Sequence, residues 1–267
     1  MTRPLARATA LALWFALLGP TGVSAQTPAA LGDGPLSLDA ADGVEWRREE
    51  HLFIAEGKAT ARQGDVSLAA DRLVAAYRSG AGDKLEIFRI DAEGDVRIEN
   101  GGDVATGARA AFDLDGRAIV LSGPGLRYAT EGAVVTAKDT LEYLMAERRA
   151  VARGDATVTD DRGSLSADVI EARLKAGDAR GVDVARAWGG VAIRTAQETV
   201  RADRAEYDFN TRKARAVGNV RISRGGDVLT GARADVDLGT GISRLEGGAT
   251  QADDGRVRGL VFPKAKP

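Results

Sequence analysis

Cysteine is absent from all 267 residues. That one absence excludes a lipid-modified cysteine anchor, disulfide bonds and thiolate metal sites, and it leaves the redox compartment open, because an exported chain can simply lack thiols. Histidine is nearly as scarce. His51 is the only one, set beside Glu49 and Glu50 in a polar, turn-like stretch, so a multi-histidine metal site is excluded and a solvated surface residue is expected. Aromatic residues make up only 5% of the chain.

Long apolar runs are missing as well. The one candidate, residues 8–18, is 11 residues long and follows Arg3 and Arg7, with Val23-Ser24-Ala25 as a small-residue cleavage site before Gln26. A helix of that length, at about 1.5 Å per residue, covers roughly half of the ~30 Å hydrocarbon core. Residues 1–25 are therefore expected to be a signal peptide, followed by a flexible leader at 26–35. Without Arg3 and Arg7, 35 basic residues face 39 acidic ones, a net charge near −4, which gives no support to nucleic-acid binding.

Catalytic constellations are equally thin. The neighbouring acids Asp160-Asp161 and Asp253-Asp254 resemble a glycosidase pair only in composition, since neighbours in a strand point to opposite faces and cannot converge on one bond. Gly239-Thr240-Gly241 lacks the third glycine and the helix of a dinucleotide fingerprint, and Gly101-Gly102-Asp103 lacks the longer repeat of a calcium-binding β-roll. Both read as turns. No enzyme activity, metal or cofactor is expected.

What the chain does have is repetition. The segment AEGDVRIENGGDVATGARAAFDLDGRAIVLSG, residues 92–123, returns 124 residues later as AVGNVRISRGGDVLTGARADVDLGTGISRLEG, and 15 of the 21 positions in 94–114 are identical to 218–238. Fainter copies restart on a small residue, a gap and a glycine at Gly57, Gly154 and Gly189. The spacing of about 30 residues fits stacked supersecondary units.

Inside a unit the period is two. Val96 and Ile98 alternate with Arg97 and Glu99, Gly101-Gly102 make a turn, and Ala105, Gly107, Ala110, Phe112 and Leu114 resume the alternation before the hairpin dipeptide Asp115-Gly116. Each unit is thus two to three antiparallel strands with one apolar face. In the middle strand the alternation slips at one place, as in Ala70-Asp71-Arg72-Leu73, Ala167-Asp168-Val169-Ile170 and Ala202-Asp203-Arg204-Ala205. Two outward residues in succession are what a β-bulge produces, so a bend shared by every layer is expected. The segment 141–152 has helix-forming composition but keeps the strand rhythm.

The recurring polar residues Arg97, Arg109, Arg221 and Arg233 read as a solvated outer face, with phosphate contacts as the alternative. The apolar positions Val96, Ile98, Phe112, Leu114, Val220, Ile222, Val236 and Leu238, placed alike in the two best copies, form either a sealed core or the lining of a slot. Inward alanines and glycines are frequent enough that two facing sheets would leave a slot or lie very close, and an apolar slot accepts acyl chains.

The repeat A-x-G-x-[VA]-x-[IV], then [VL]-x-[AG]-D-x-[AL]-x-[YF] as in Val200-Arg201-Ala202-Asp203-Arg204-Ala205-Glu206-Tyr207, resembles that of the OstA/LptA family of periplasmic lipopolysaccharide-transport proteins, over about residues 36–262. The resemblance implies an all-β, repeat-built antiparallel β-jellyroll, an open, V-shaped, twisted sandwich. Its apolar interior would hold the acyl chains of lipid A while the sugars stay in solvent, and copies would bridge the inner and outer membranes through edge strands. The implied partners are lipopolysaccharide and other transport components, with a head-to-tail homo-oligomer open, and the implied compartment is the periplasm. The chain carries more repeats than a minimal shuttle needs, so 36–262 is expected to be one long jellyroll or two joined halves, followed by a tail at 263–267. The rival reading is a non-catalytic β-solenoid scaffold or adhesin with a sealed core.

Overall fold

The computed structural model describes residues 36–80, 84–176, 181–240, 242–248 and 256–260. The expected signal peptide, leader and tail lie outside those residues. Everything described is strand, turn or connecting chain, and no helix is long and apolar enough to cross a membrane. The strands group into two compact units, one built from residues up to 156 together with 171–182, the other from 157–170 and the chain from 183 on.

In the first unit β1 (Ser37–Asp39) and β2 (Gly43–Arg47) lie end to end along β3 (Leu52–Gln63). The ladder continues through β4 (Val66–Ser79), β5 (Leu85–Asn100) and β6 (Asp103–Asp113), all antiparallel. Another split strand, β7 (Ala118–Ser122) with β8 (Arg127–Ala129), lies along β6. Next, β9 (Ala133–Thr136) pairs with β8, β10 (Thr140–Leu144) pairs with β7, and β11 (Arg149–Asp160) pairs with β10. The stretch 141–152 is therefore a β-hairpin, and the strand rhythm overrides its helix-forming composition.

The second unit takes the ends of β11 and β12 (Gly163–Leu174), then β13 (Val182–Thr195), β14 (Glu198–Asp208), β15 (Lys213–Arg224) and β16 (Asp227–Asp237). From β13 to β16 each strand pairs antiparallel with the next. A third split strand, β17 (Ile242–Glu246) and β18 (Arg258–Leu260), lies along β16. The all-β, antiparallel, repeat-built jellyroll class expected from the sequence is what the chain adopts.

The slip in alternation is a contact between two strands. Asp71 and Asp203 face outward at register shifts, as expected, and Asp168 is likewise exposed, but at the two shifts the neighbouring strand slips too, at the glycine of the repeat and the residue after it. Gly94 has φ +79° and Asp95 φ 42°, and the Asp71 side chain fills the space where a Cβ on Gly94 would stand. The same arrangement joins Asp42 to Gly57, Asp139 to Gly154, Asp168 to Gly189 and Asp203 to Gly218. Glycine meets both demands, a positive φ and no side chain.

One turn differs from expectation. Asp115-Gly116 is not a two-residue hairpin loop; β6 ends at Asp113, and residues 114–117 connect it to β7. The positive φ falls on Arg117 at 52°, and the Gly116 N–H donates to Asp113 Oδ1 at 2.7 Å. His51, Arg148 and Arg212 take the same left-handed place before β3, β11 and β15. The aspartate cap recurs at Asp208 and Asp237, which accept two backbone N–H groups each.

Candidate functional site

Strand pairing places one side chain per strand into rows that cross the sheet, and the rows on the inner face are apolar. In the first unit one row runs Ala55, Leu73, Ala92, Ala110, Leu121, Leu141. A second runs Phe53, Ala75, Ile90, Phe112, Ile119, Tyr143. The first row mixes alanine with leucine, and the second is large throughout except at Ala75. In the second unit the row equivalent to the first is Ala187, Ala205, Ala216, Ala234, Leu245, four alanines in succession. Beside it Ile193, Val200, Ile222 and Leu229 make a bulkier row.

The eight candidate positions fall four to a unit. Val96, Ile98, Phe112, Val220, Ile222 and Val236 are buried in these inner faces. Leu114 and Leu238 are not strand residues: each is half-buried in the turn after its strand, its N–H donating to the carbonyl of Phe88 or Arg212 at 3.0 and 2.9 Å. Arg97, Arg109 and Arg221 are exposed on the outer face, and Arg233 is half-buried there. Arg97 pairs with Glu99 at 2.6 Å and Arg233 with Asp235 at 2.5 Å. Further along this face Arg78 is clasped by Glu86 and Asp115, each at 2.7 Å, and it holds both carboxyls below their usual range.

Two groupings were not foreseen. At the start of the ladder Trp46 stacks on Phe53 with ring centroids 5.5 Å apart, and Phe53 lies 5.0 Å from Tyr77. The Trp46 indole donates to the Tyr77 hydroxyl at 2.8 Å, Arg48 covers Trp46, and the exposed His51 tilts against Tyr77. The signal was available: Trp46 and Phe53 flank the first turn, but without strand register Tyr77 cannot be joined to them. The other grouping is polar. The Tyr128 hydroxyl donates to buried Asp103 at 2.6 Å, and burial first, then this bond, pushes the tyrosine well above its usual range.

Such an interior can hold apolar groups, and among the described residues it shows no paired nucleophile and base. A split strand opens the ladder at β1–β2 and recurs as β9–β10 ahead of a second series of long strands. The family comparison follows that division. The family model described as LptA/(LptD N-terminal domain) LPS transport protein matches residues 40–138 and again 135–242. Among solved structures the chain is similar to LptH, the LptA-homologous periplasmic component of the conserved lipopolysaccharide transport device from Pseudomonas aeruginosa. That match has 16% identity and a TM-score of 0.42, over 49% of this chain and 95% of LptH. None of the curated proteins matches the chain. With two consecutive matches running from 40 to 242, the chain belongs to the LptA/LptD N-terminal-domain family of lipopolysaccharide-transport proteins.

Proposed function

We propose that the protein is a periplasmic carrier that shields the acyl chains of lipopolysaccharide against its inner face, leaves the sugars in solvent, and bridges the inner and outer membranes through its edge strands. The observation that carries this reading is the inner face itself: rows of apolar side chains crossing strand after strand, with ion pairs such as Arg97–Glu99 and Arg89–Asp91 on the outer face and the pair Arg224–Glu198 at the end of an inner row. Each methylene removed from water contributes about 0.8 kcal/mol, so a few acyl chains bind firmly with no charged partner. The chemistry is non-covalent, so no cofactor is required.

The second unit is the better place for the acyl chains. Its four-alanine row is unbroken where the first unit inserts Leu73 between alanines, Ala205 standing in that place. The rival reading of a sealed scaffold draws its support from the first unit, where Leu68, Leu73, Ile90 and Phe112 are almost completely buried.

Photo-crosslinking separates the two. A photoreactive residue at Val220 or Phe112, with Arg109 as the outer control, is incubated with lipopolysaccharide in protein shown to be folded by circular dichroism. Adducts at Val220 or Phe112 and none at Arg109 are expected. Folded protein without an interior adduct supports the sealed scaffold and removes the carrier.

A further inference from the structure

We propose that Tyr128 closes the inner face of the first unit at the end where β5 turns into β6, and that the second unit, which has Gly259 in that place, is the one that takes the acyl chains. This rests on the carrier reading above and assigns the difference between the units to one side chain.

The two best copies of the repeat allow the units to be compared position by position. A shift of 124 residues carries Val96 and Ile98 onto Val220 and Ile222, and Asp103, Ala105 and Gly107 onto Asp227, Leu229 and Gly231. On the inner face Ala105 stands between Ile98 on β5 and Tyr128 on β8. Leu229 stands in the same way between Ile222 on β15 and Gly259 on β18. Tyr128 therefore answers to Gly259, and Leu126, two residues earlier, to Val257.

The Tyr128 ring lies along the inner face instead of standing off it. Its strand partner is Ala105, yet its hydroxyl donates to Asp103 at 2.6 Å, two residues along β6 and so about 6.8 Å away at about 3.4 Å per residue. The phenol thus spans two rows. A hydrogen bond to a carboxylate is roughly twice as strong as a neutral one, and Asp103 is itself buried, so the ring is held in place. Leu126 adds to the cover: its Cδ2 stands 3.0 Å from where a Cβ on Gly107 would be, and its side chain is 3% exposed.

Among the described residues the second unit has no such cover. Gly259 has no side chain to lay across the rows, and Val257 is 45% exposed where Leu126 is buried. Leu229 takes up part of the room, its Cδ2 2.9 Å from where a Cβ on Gly259 would stand. A leucine has no hydroxyl to offer Asp227, however, and Asp227 is half-buried where Asp103 is buried. An acyl slot has to open at a rim, because the sugars of the amphiphile lose free energy if they are buried without partners. This end of the second unit supplies such a rim, next to the apolar row of Ile193, Val200 and Ile222.

Exchanging the two residue pairs tests the closure. Ala105→Leu with Tyr128→Gly gives the first unit the residues of the second, and Leu229→Ala with Gly259→Tyr does the reverse. Gly259 sits in strand backbone, which tyrosine favours. A photoreactive residue at Val96 or at its counterpart Val220, both buried, reports lipopolysaccharide in each unit, with folding checked by circular dichroism. In the parent the adduct is expected at Val220, with about tenfold less at Val96. The first exchange should raise the Val96 yield about tenfold and the second should lower the Val220 yield by as much, a change that two methylene contacts suffice to produce. If the first exchange does not fold, the second decides, since it alters only the edge of the second unit. Equal labelling of Val96 and Val220 in the parent, or yields that the exchanges leave unaltered in folded protein, overturns the closure and keeps the carrier. No adduct at either position, in the parent or in either exchange, removes the carrier and the closure with it.

Discussion

Gly94 and Asp71 form one structural feature shared between two strands, and four other glycine–aspartate pairs repeat it. Any Cβ at Gly94 meets the Asp71 carboxylate, and the backbone there, at φ +79°, is one that alanine adopts at a cost of about 1–2 kcal/mol. Gly94→Ala should therefore lower stability by about 2–4 kcal/mol in urea unfolding. Adding Asp71→Ala should recover the steric part and leave the conformational part. Strictly additive losses in the double variant would show that the two residues do not meet. The sequence displayed both halves of this motif, the recurring glycine and the recurring Asp71, Asp168 and Asp203, as separate regularities. Their contact was hidden because 23 residues separate Asp71 from Gly94 but 15 separate Asp203 from Gly218, so only strand register joins them. Tyr128 gives a second test at this scale. Its pKa is raised in the folded state, so the neutral ring contributes stability that is present below about pH 10, the ordinary tyrosine value, and fades as pH rises beyond it. Tyr128→Phe should cost about 1 kcal/mol at pH 7 through the lost bond to Asp103 and flatten the fall of Tm above pH 10. An unchanged alkaline slope would mean that the hydroxyl titrates freely.

At the level of strands, the four-alanine row is where the carrier and scaffold readings predict opposite behaviour. Ala216 sits between Ala205 and Ala234, and all three are buried. If the space before this row belongs to an acyl chain, Ala216→Leu fills it with a side chain of the protein's own, and lipopolysaccharide binding should fall at least tenfold while the urea midpoint stays put. In a sealed core the same substitution overpacks the interior and costs about 1–3 kcal/mol. Loss of stability would therefore count against the carrier. Strands were the most legible level of this molecule, because a period of two between glycine-containing turns leaves little room for another structure. Turn chemistry was less so. Asp115-Gly116 looks like a tight hairpin, yet Asp113 caps a longer loop and Arg117 takes the left-handed place, a choice made by the spacing of the flanking strands. Inner positions were read correctly where alternation was unbroken, as at Val96, Ile98 and Phe112, and shifted into turns where it ended, as at Leu114 and Leu238.

For the molecule as a whole, the two family matches meet at residues 135–138, but the compact units divide within β11 and β12. The mismatch has a simple cause: β7 and β10 are hydrogen-bonded neighbours, so the first unit runs on past the boundary that the sequence marks. The same continuity governs assembly. Joining copies through backbone ladders makes the association a mass-action equilibrium, visible as a sedimentation coefficient that rises with protein concentration. Apolar contact dominates it, because Val44, Trp46, Ile242 and Leu260 are exposed on the edge strands, whereas an exposed charge pair is worth at most about 1 kcal/mol. Trp46→Lys places a charge on the free edge, the device by which natural edge strands avoid pairing, and it also removes the stack on Phe53 and the bond to the Tyr77 hydroxyl, contacts at the rim of the sheet that the strands do not depend on. This variant should associate at least tenfold more weakly than the parent, with an unchanged circular dichroism spectrum. Raising salt from about 0.1 to 1 M, which shortens the screening length from about 10 to 3 Å, should alter the parent's association only slightly. Collapse of the assembly in salt, with Trp46→Lys behaving like the parent, would mean that charge rather than the buried apolar edge holds the copies together.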